Sequence, residues 1–229
     1  MKTYSKRFEA EKKKLDADSM YNVENAMRLV KEVASAKFNE SIEAHISLNI
    51  DPKYADQQLR TTVILPHGTG KTTRIGALVS PDRVSEAEAA GADVFGSEDF
   101  IEDINKGILD FDLLITTADM MPKLAKLGRV LGPKGLMPSP KAGTVTADLK
   151  ATVDEFKKGK LEYRADKAGI VHISFGKADF TENQLTENFM AFYNSVESNK
   201  PSGVKGKYVK KVTICSTMGP GIYLDFENF

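Results

Sequence analysis

The 229-residue chain carries 32 basic and 32 acidic side chains, a formal net charge of +0, with 41% hydrophobic and 28% charged residues. That length suits one large or two small domains with buried cores, and the composition is that of a soluble globular protein. The lone Cys215 excludes a disulfide framework and fits a reducing compartment, and no apolar run reaches the length of a membrane span or forms a signal-peptide core, so neither a membrane partner nor secretion is expected.

A basic arm with Lys2, Lys6, Arg7, Lys12, Lys13 and Lys14 opens the chain. Residues 22–35 then repeat apolar side chains at helical spacing through Val23, Ala26, Met27, Val30, Val33 and Ala34. Residues 41–50 alternate around Ile42, Ala44, Ile46, Leu48 and Ile50, the period of a half-buried strand. Lys37 and Phe38 fall on the turn between the two. There a base-stacking aromatic beside a phosphate-binding amine would be well placed, and a buried Phe is the alternative. Residues 59–65 read as a strand leading into PHGTGKTT.

That motif imitates a nucleotide-binding loop but lacks its first glycine, because Leu65 stands where the bend requires one. Residues 74–79 read as a strand directly after it, where such a loop needs a helix. His67, Gly68 and Gly70 fit a domain crossing better. From there, short apolar strands at 75–79, 92–95 and 111–116 alternate with helical patterns at 81–91 and 99–106, implying a small parallel sheet covered on both faces. A helix over 148–158 follows, stopped by Gly159. Strands at 161–164 and 170–175 are joined by a turn with Lys167 at its tip. A helix over 182–196 carries Leu185, Phe189, Phe192 and Val196 on one stripe, and residues 208–214 form the last long strand.

Between Asp119 and Asp148 there is no carboxylate, while Lys123, Lys126, Arg129, Lys134 and Lys141 are all present. The first half can be helical until Gly132-Pro133 stops it, leaving Lys134 and Lys141 on a Gly- and Pro-stiffened loop suited to phosphate. Lys200, Lys205, Lys207, Lys210 and Lys211 likewise sit in a carboxylate-free run, whereas residues 82–112 are acidic. Net neutrality alone argues against a nucleic-acid partner; the segregation of charge along the chain argues for one. STMGPG at 216–221 is either a plain hairpin turn or a recognition loop. In the second case the hydroxyls of Ser216 and Thr217, the flexible Met218 and the backbone bent by Gly219 and Pro220 meet ribose and phosphate.

LGRVLGPKGLMPSPKAGTV (residues 127–145) resembles the signature of the ribosomal protein L-one family, the large-subunit protein of the mobile stalk beside the tRNA exit site. AKFNES (36–41) is similar to that family's AKF-x-E-[ST] element, which extends the reading from Lys37 and Phe38 to Ser41, and STMGPG looks like another of its ribosomal-RNA contacts. IDPKYADQQLR resembles cyanobacterial and plastid members. The resemblance implies a discontinuous α+β RNA-binding domain of residues 1–67 plus 160–229, with an inserted α/β, Rossmann-like domain of residues 68–159. It further implies direct binding of large-subunit ribosomal RNA, contact with exit-site tRNA during its movement and release, and repression of the protein's own messenger. Such a protein works as a monomer within the ribosome of a bacterial cytoplasm or a plastid stroma. Arg164 and Lys167 join the RNA-binding candidates.

Catalysis finds no support. His45, His67 and His172 lie in different elements outside any triad motif, and His45 and His172 fall in strand patterns where packing is expected. Cys215 reads as a buried strand residue, with a reactive thiol as the alternative. One cysteine and scattered histidines give no zinc-cluster spacing, so neither a metal nor a cofactor is expected.

Overall fold

The computed structural model describes residues 4–16, 19–204 and 206–226; Lys2 and Lys205 of the basic runs lie outside them. In chain order its helices and strands are α1 (Lys6–Lys12), α2 (Val23–Val33), β1 (Ser41–Leu48), β2 (Arg60–Ile64), β3 (Ile75–Leu78), α3 (Val84–Ala89), β4 (Val94–Gly96), α4 (Glu98–Lys106), β5 (Leu113–Thr116), α5 (Met121–Ala125), α6 (Gly128–Lys134), α7 (Leu149–Lys157), β6 (Lys160–Arg164), β7 (Ile170–Lys177), α8 (Glu182–Ser198), β8 (Val209–Ser216) and β9 (Ile222–Leu224). The chain mixes helices and sheets and divides into two compact units, Met1–Gly70 with Leu161–Phe229, and Lys71–Lys160. No helix among the described residues is long and apolar enough to cross a membrane.

The two-segment unit is built on a four-stranded sheet in the order β7-β1-β8-β9, antiparallel throughout. Strict alternation along β1 buries Ile42, Ala44, Ile46 and Leu48 on one face and leaves Glu43, His45 and Ser47 on the other. The buried face is covered by Met27, Val30 and Val33 of α2 and by Leu185, Phe189, Phe192 and Val196 of α8. Each fully buried side chain of this size contributes about 1.5–3 kcal/mol, which is what holds two short segments from opposite ends of the chain in one core. Both helices start on side-chain caps: Asn22 accepts from the Asn25 amide, and Thr181 with Gln184 forms a capping box.

The strands on either side of the Lys167 turn enter different sheets. β6 joins β2 in a separate two-stranded sheet while β7 joins β1, and an isolated bridge, Ala165 to Val171, links the flanks. The turn is tight because the Asp166 carboxylate accepts from the amides of Ala168 (2.9 Å) and Ile170 (2.8 Å). Yet Tyr163 of β6 packs against Phe192 of α8 and its hydroxyl meets Ser195 at 2.9 Å, drawing that strand toward the helix. A further anchor is Asn188, wholly buried in α8. It donates to the carbonyls of Gly68 (2.9 Å) and Phe175 (2.8 Å) and accepts from the His67 amide (3.0 Å), fixing the segment where this unit's first chain portion ends.

The second unit holds a three-stranded parallel sheet, β4-β3-β5, with β3 buried along its whole length. One face packs Ile75, Ala77 and Ile115 with Ala87 of α3 and with Leu149, Val153 and Phe156 of α7. The other packs Leu78 and Leu114 with Phe100 and Ile104 of α4 and with Leu124 and Leu131. The Lys123 helix expected to stop at Gly132-Pro133 is instead two helices broken near Leu127, and the second runs through that dipeptide. Pro133 lies in the last turn, where it has no amide to donate back to the Arg129 carbonyl, and the helix ends one residue later. Gly135, at φ 72°, ends the helix, with its amide bonded to the Gly132 carbonyl and the Leu136 amide to the Leu131 carbonyl, each at 3.0 Å.

Candidate nucleic-acid interface

At one end of the four-stranded sheet two turns are tied together by a buried carboxylate. Glu40, 1% exposed, ends the turn that follows α2. Its Oε1 accepts from the Ala36 amide (2.8 Å), and its Oε2 accepts from the Ser216 hydroxyl (2.8 Å) and the Met218 amide (2.9 Å). Thr217 adds a second tie: its amide donates to the Ser41 carbonyl (3.0 Å), while its hydroxyl accepts from the Ser41 amide (2.9 Å) and donates to the same carbonyl (3.2 Å). Gly219 belongs to the same device, because a Cβ there would lie 2.5 Å from the Ser216 hydroxyl oxygen. Pro220 follows, buried, and leads into β9.

What this brace presents is apolar and basic. Phe38 is 55% exposed and Met218 50% exposed, and Lys37 is exposed beside Phe38; the buried-Phe alternative is therefore excluded. Arg7 of α1 donates to the Met218 carbonyl at 3.4 Å, bringing the basic arm to the loop. Ser41 is half-buried, and its hydroxyl accepts from Lys177 at 3.0 Å. Of the two hydroxyls expected to face a ligand, Ser216 is buried and committed to Glu40, and Thr217 is exposed but committed to Ser41. Both hold the loop in shape. Glu40 was missed by sequence reasoning; its only signal was its place inside the AKFNES stretch.

Arg164 and Lys167 are exposed in the same unit but not in the same place. Their turn abuts Leu48, whose amide donates to the Gly169 carbonyl at 2.9 Å, at the far end of β1 from Ser41. An eight-residue strand spans roughly 23 Å, so these two groups form a separate basic point. The turn that carries Lys167 depends on Asp166 being ionised. Its carboxyl is held below the ordinary aspartate value, first by the Ile170 amide and further by Ala168 and His172. A lowered value stabilises the turn above the unfolded-state pKa and loses that contribution as pH falls through the folded one. In an acid titration followed by NMR, the Ala168 and Ile170 amides shift together only below the usual carboxylate range; a midpoint at the ordinary aspartate value contradicts this.

In the second unit Lys134 is exposed on the last turn of α6 rather than on a loop, and Lys141 is exposed on the 3-10 turn Pro140–Ala142. The loop that carries Lys141 is firmly set. Thr144 accepts from the Ser139 amide at 2.8 Å, and the Thr144 carbonyl and Thr146 amide bond to Thr116 at the end of β5, at 2.9 and 3.0 Å. Lys123 is taken by Glu98 at 2.7 Å. Lys134 and Lys141 form no ion pair among the described residues.

The open face of the four-stranded sheet corrects two expectations. His45 and His172 do not pack in the core; they are register partners on the polar face with their Nδ1 atoms 2.8 Å apart. Cys215 is half-buried on the same face, its Sγ 3.3 Å from His45 Nε2. Burial, and then the Glu43 carboxylate, push the Cys215 thiol up to about 11, while burial and then His172 hold His45 below its ordinary value. A protonated thiol beside a neutral imidazole is no nucleophile at neutral pH.

The sequence model of the Ribosomal protein L1p/L10e family matches residues 30–220, which include both braced turns and the 127–145 stretch. The chain belongs to that family. Over 213 residues it is 64% identical to the large ribosomal subunit protein uL1c of Trieres chinensis, covering 93% of each chain. It is 60% identical over 227 residues to the uL1 protein of Prochlorococcus marinus strain MIT 9515, covering 99% of this chain and 96% of that one. With uL1c of Rhodomonas salina the identity is 63% over 209 residues, 91% of this chain and 89% of the relative. The resemblance drawn from the motifs therefore holds along nearly the whole chain. The L1 family is a structural one of the ribosome, and this member is not an enzyme.

Proposed function

We propose that this L1-family chain is a structural protein of the large ribosomal subunit, in a bacterial or plastid ribosome, and that it binds large-subunit ribosomal RNA directly. The primary contact is the pair of turns braced by Glu40. The observation that carries this reading is that Phe38 and Met218 stand half-exposed on turns from opposite ends of the chain, held by one buried carboxylate. A solvated hairpin tip has no use for such a brace. A flat aromatic, a flexible thioether and the adjacent Lys37 and Arg7 suit unstacked bases and the phosphates beside them. The two-segment unit is then the RNA-binding domain, and residues 68–159 are a domain inserted into it. As stalk protein, the chain also touches exit-site tRNA, assists its release and represses its own messenger through the same braced turns. Hydroxyl-radical footprinting on naked large-subunit ribosomal RNA tests the primary claim: one compact protected segment is expected, and uniform reactivity overturns it.

The basic point of the second unit contributes through charge alone. Removing both amines, Lys134→Ala with Lys141→Ala, weakens binding and reduces the slope of log affinity against log salt by about one unit per lost phosphate contact. Filter binding across a salt series measures it; an unaltered slope assigns the two lysines to the solvated surface.

A further inference from the structure

Four side chains on the open face of the four-stranded sheet remain unused by the RNA reading. Cross-strand register sets them together: Glu43 of β1 opposite Cys215 of β8, and His45 of β1 opposite His172 of β7. A carboxylate oxygen of Glu43, a ring nitrogen of His45 and the Cys215 sulfur all lie within 4.8 Å of one another, and all three residues are half-buried.

The hydrogen bonds dictate how His45 presents its ring. His172 Nε2 lies 3.4 Å from the Asp166 carboxylate, which can only accept, so the imidazole proton of neutral His172 is on Nε2. His172 Nδ1 is then an acceptor. Facing it at 2.8 Å, His45 Nδ1 must carry the other proton. That leaves the lone pair of His45 Nε2 directed at Cys215 Sγ, 3.3 Å away. A carboxylate–imidazole relay behind a ligating imidazole is the usual support of a metal-binding histidine, because it fixes the tautomer and raises the basicity of the free nitrogen.

We propose that Glu43, His45 and Cys215 form a binding site for a zinc-class divalent cation on the open face of the sheet, with His172 and Asp166 as positioning residues for His45. Sulfur, nitrogen and oxygen donors around a tetrahedral zinc ion lie roughly 3.5 Å apart, given bonds of about 2.0–2.3 Å. The nitrogen–sulfur pair is already at that separation, and Glu43 closes the remainder by a side-chain rotation. The mixed thiolate, imidazole and carboxylate set selects zinc or cobalt over magnesium, which prefers oxygen alone. Three protein donors at a half-exposed position leave a fourth for water. On binding, the metal–sulfur bond replaces the S–H bond and the Cys215 proton passes to solvent, so loading releases one proton per ion. The site is independent of the RNA reading: none of its donors belongs to the braced turns.

Titrating the chelator-stripped full-length chain with Co²⁺ tests this. A thiolate-to-cobalt charge-transfer absorption is expected, saturating at one equivalent, lost when Zn²⁺ is added and unaffected by Mg²⁺. Cys215→Ser abolishes the band, and His45→Ala weakens cobalt binding by about 100-fold. His172→Ala, at an exposed position that leaves folding intact, weakens it by roughly 10–100-fold with the band unmoved, since it removes only the support of the ligand. Absence of a band at millimolar Co²⁺ overturns the proposal, as does a titration curve unchanged by His45→Ala, which marks thiol binding alone. Equal displacement by Mg²⁺ also overturns it.

Discussion

Glu40→Ala is expected to cost on the order of 3–5 kcal/mol of stability and to abolish measurable ribosomal-RNA binding at the same time. The substitution leaves the Ala36 amide, the Ser216 hydroxyl and the Met218 amide without their acceptor. Each donor stranded away from water costs about 1–3 kcal/mol; entry of water at the half-exposed Met218 side keeps the sum below the upper limit. Glu40→Gln separates charge from shape. Its amide oxygen can serve one turn, but its NH₂ group then faces a donor on the other, so roughly half the loss is expected. Urea unfolding followed by circular dichroism, with filter binding on the same samples, reads both effects. Full stability in Glu40→Ala removes the brace from the account, and full affinity in a destabilised variant moves the RNA site elsewhere.

The elements that sequence revealed are those whose pattern is periodic and local. Alternation through Ile42, Ala44, Ile46 and Leu48 and the stripe Leu185, Phe189, Phe192, Val196 both describe faces that are fully buried. The parallel sheet of the second unit followed from apolar strands alternating with helices. Failures came where tertiary contacts decide. Nothing near residues 160–170 says that β6 and β7 enter different sheets, because the pull on Tyr163 comes from Phe192 and Ser195 on α8. Gly132-Pro133 looked like a helix stop, but the helix runs one residue past the proline and the left-handed Gly135 is the real terminator. His45 and His172 seemed scattered because register across strands is invisible in a linear reading.

The candidate interface divides along the same line. Motif resemblance picked out Phe38, Thr217 and Met218, yet not which of them holds the loop and which faces outward. Glu40 reads as one more solvated acid, since its partners Ser216 and Met218 lie 176 and 178 residues away. With the partners known, hydroxyls that looked like ligands for ribose are seen to be spent inside the protein.

That reassignment changes what the loop variants should do. Phe38→Ala with Met218→Ala removes two side chains that are 55% and 50% exposed, so each change should alter stability by about 0.5 kcal/mol or less. If Phe38 stacks on a base, its loss costs about 1–3 kcal/mol of binding, and Met218 adds a smaller packing loss, for an affinity roughly 10–100-fold lower. Thr217→Ala should behave differently. Its hydroxyl accepts the Ser41 amide and donates to the Ser41 carbonyl; removing it costs about 1–2 kcal/mol of stability and loosens the loop, so affinity falls together with the unfolding midpoint. Filter binding and urea unfolding on the two variants distinguish these patterns. Wild-type affinity in folded Phe38→Ala/Met218→Ala would show that neither side chain meets RNA, since the double change leaves the brace whole while stripping the apolar surface it presents.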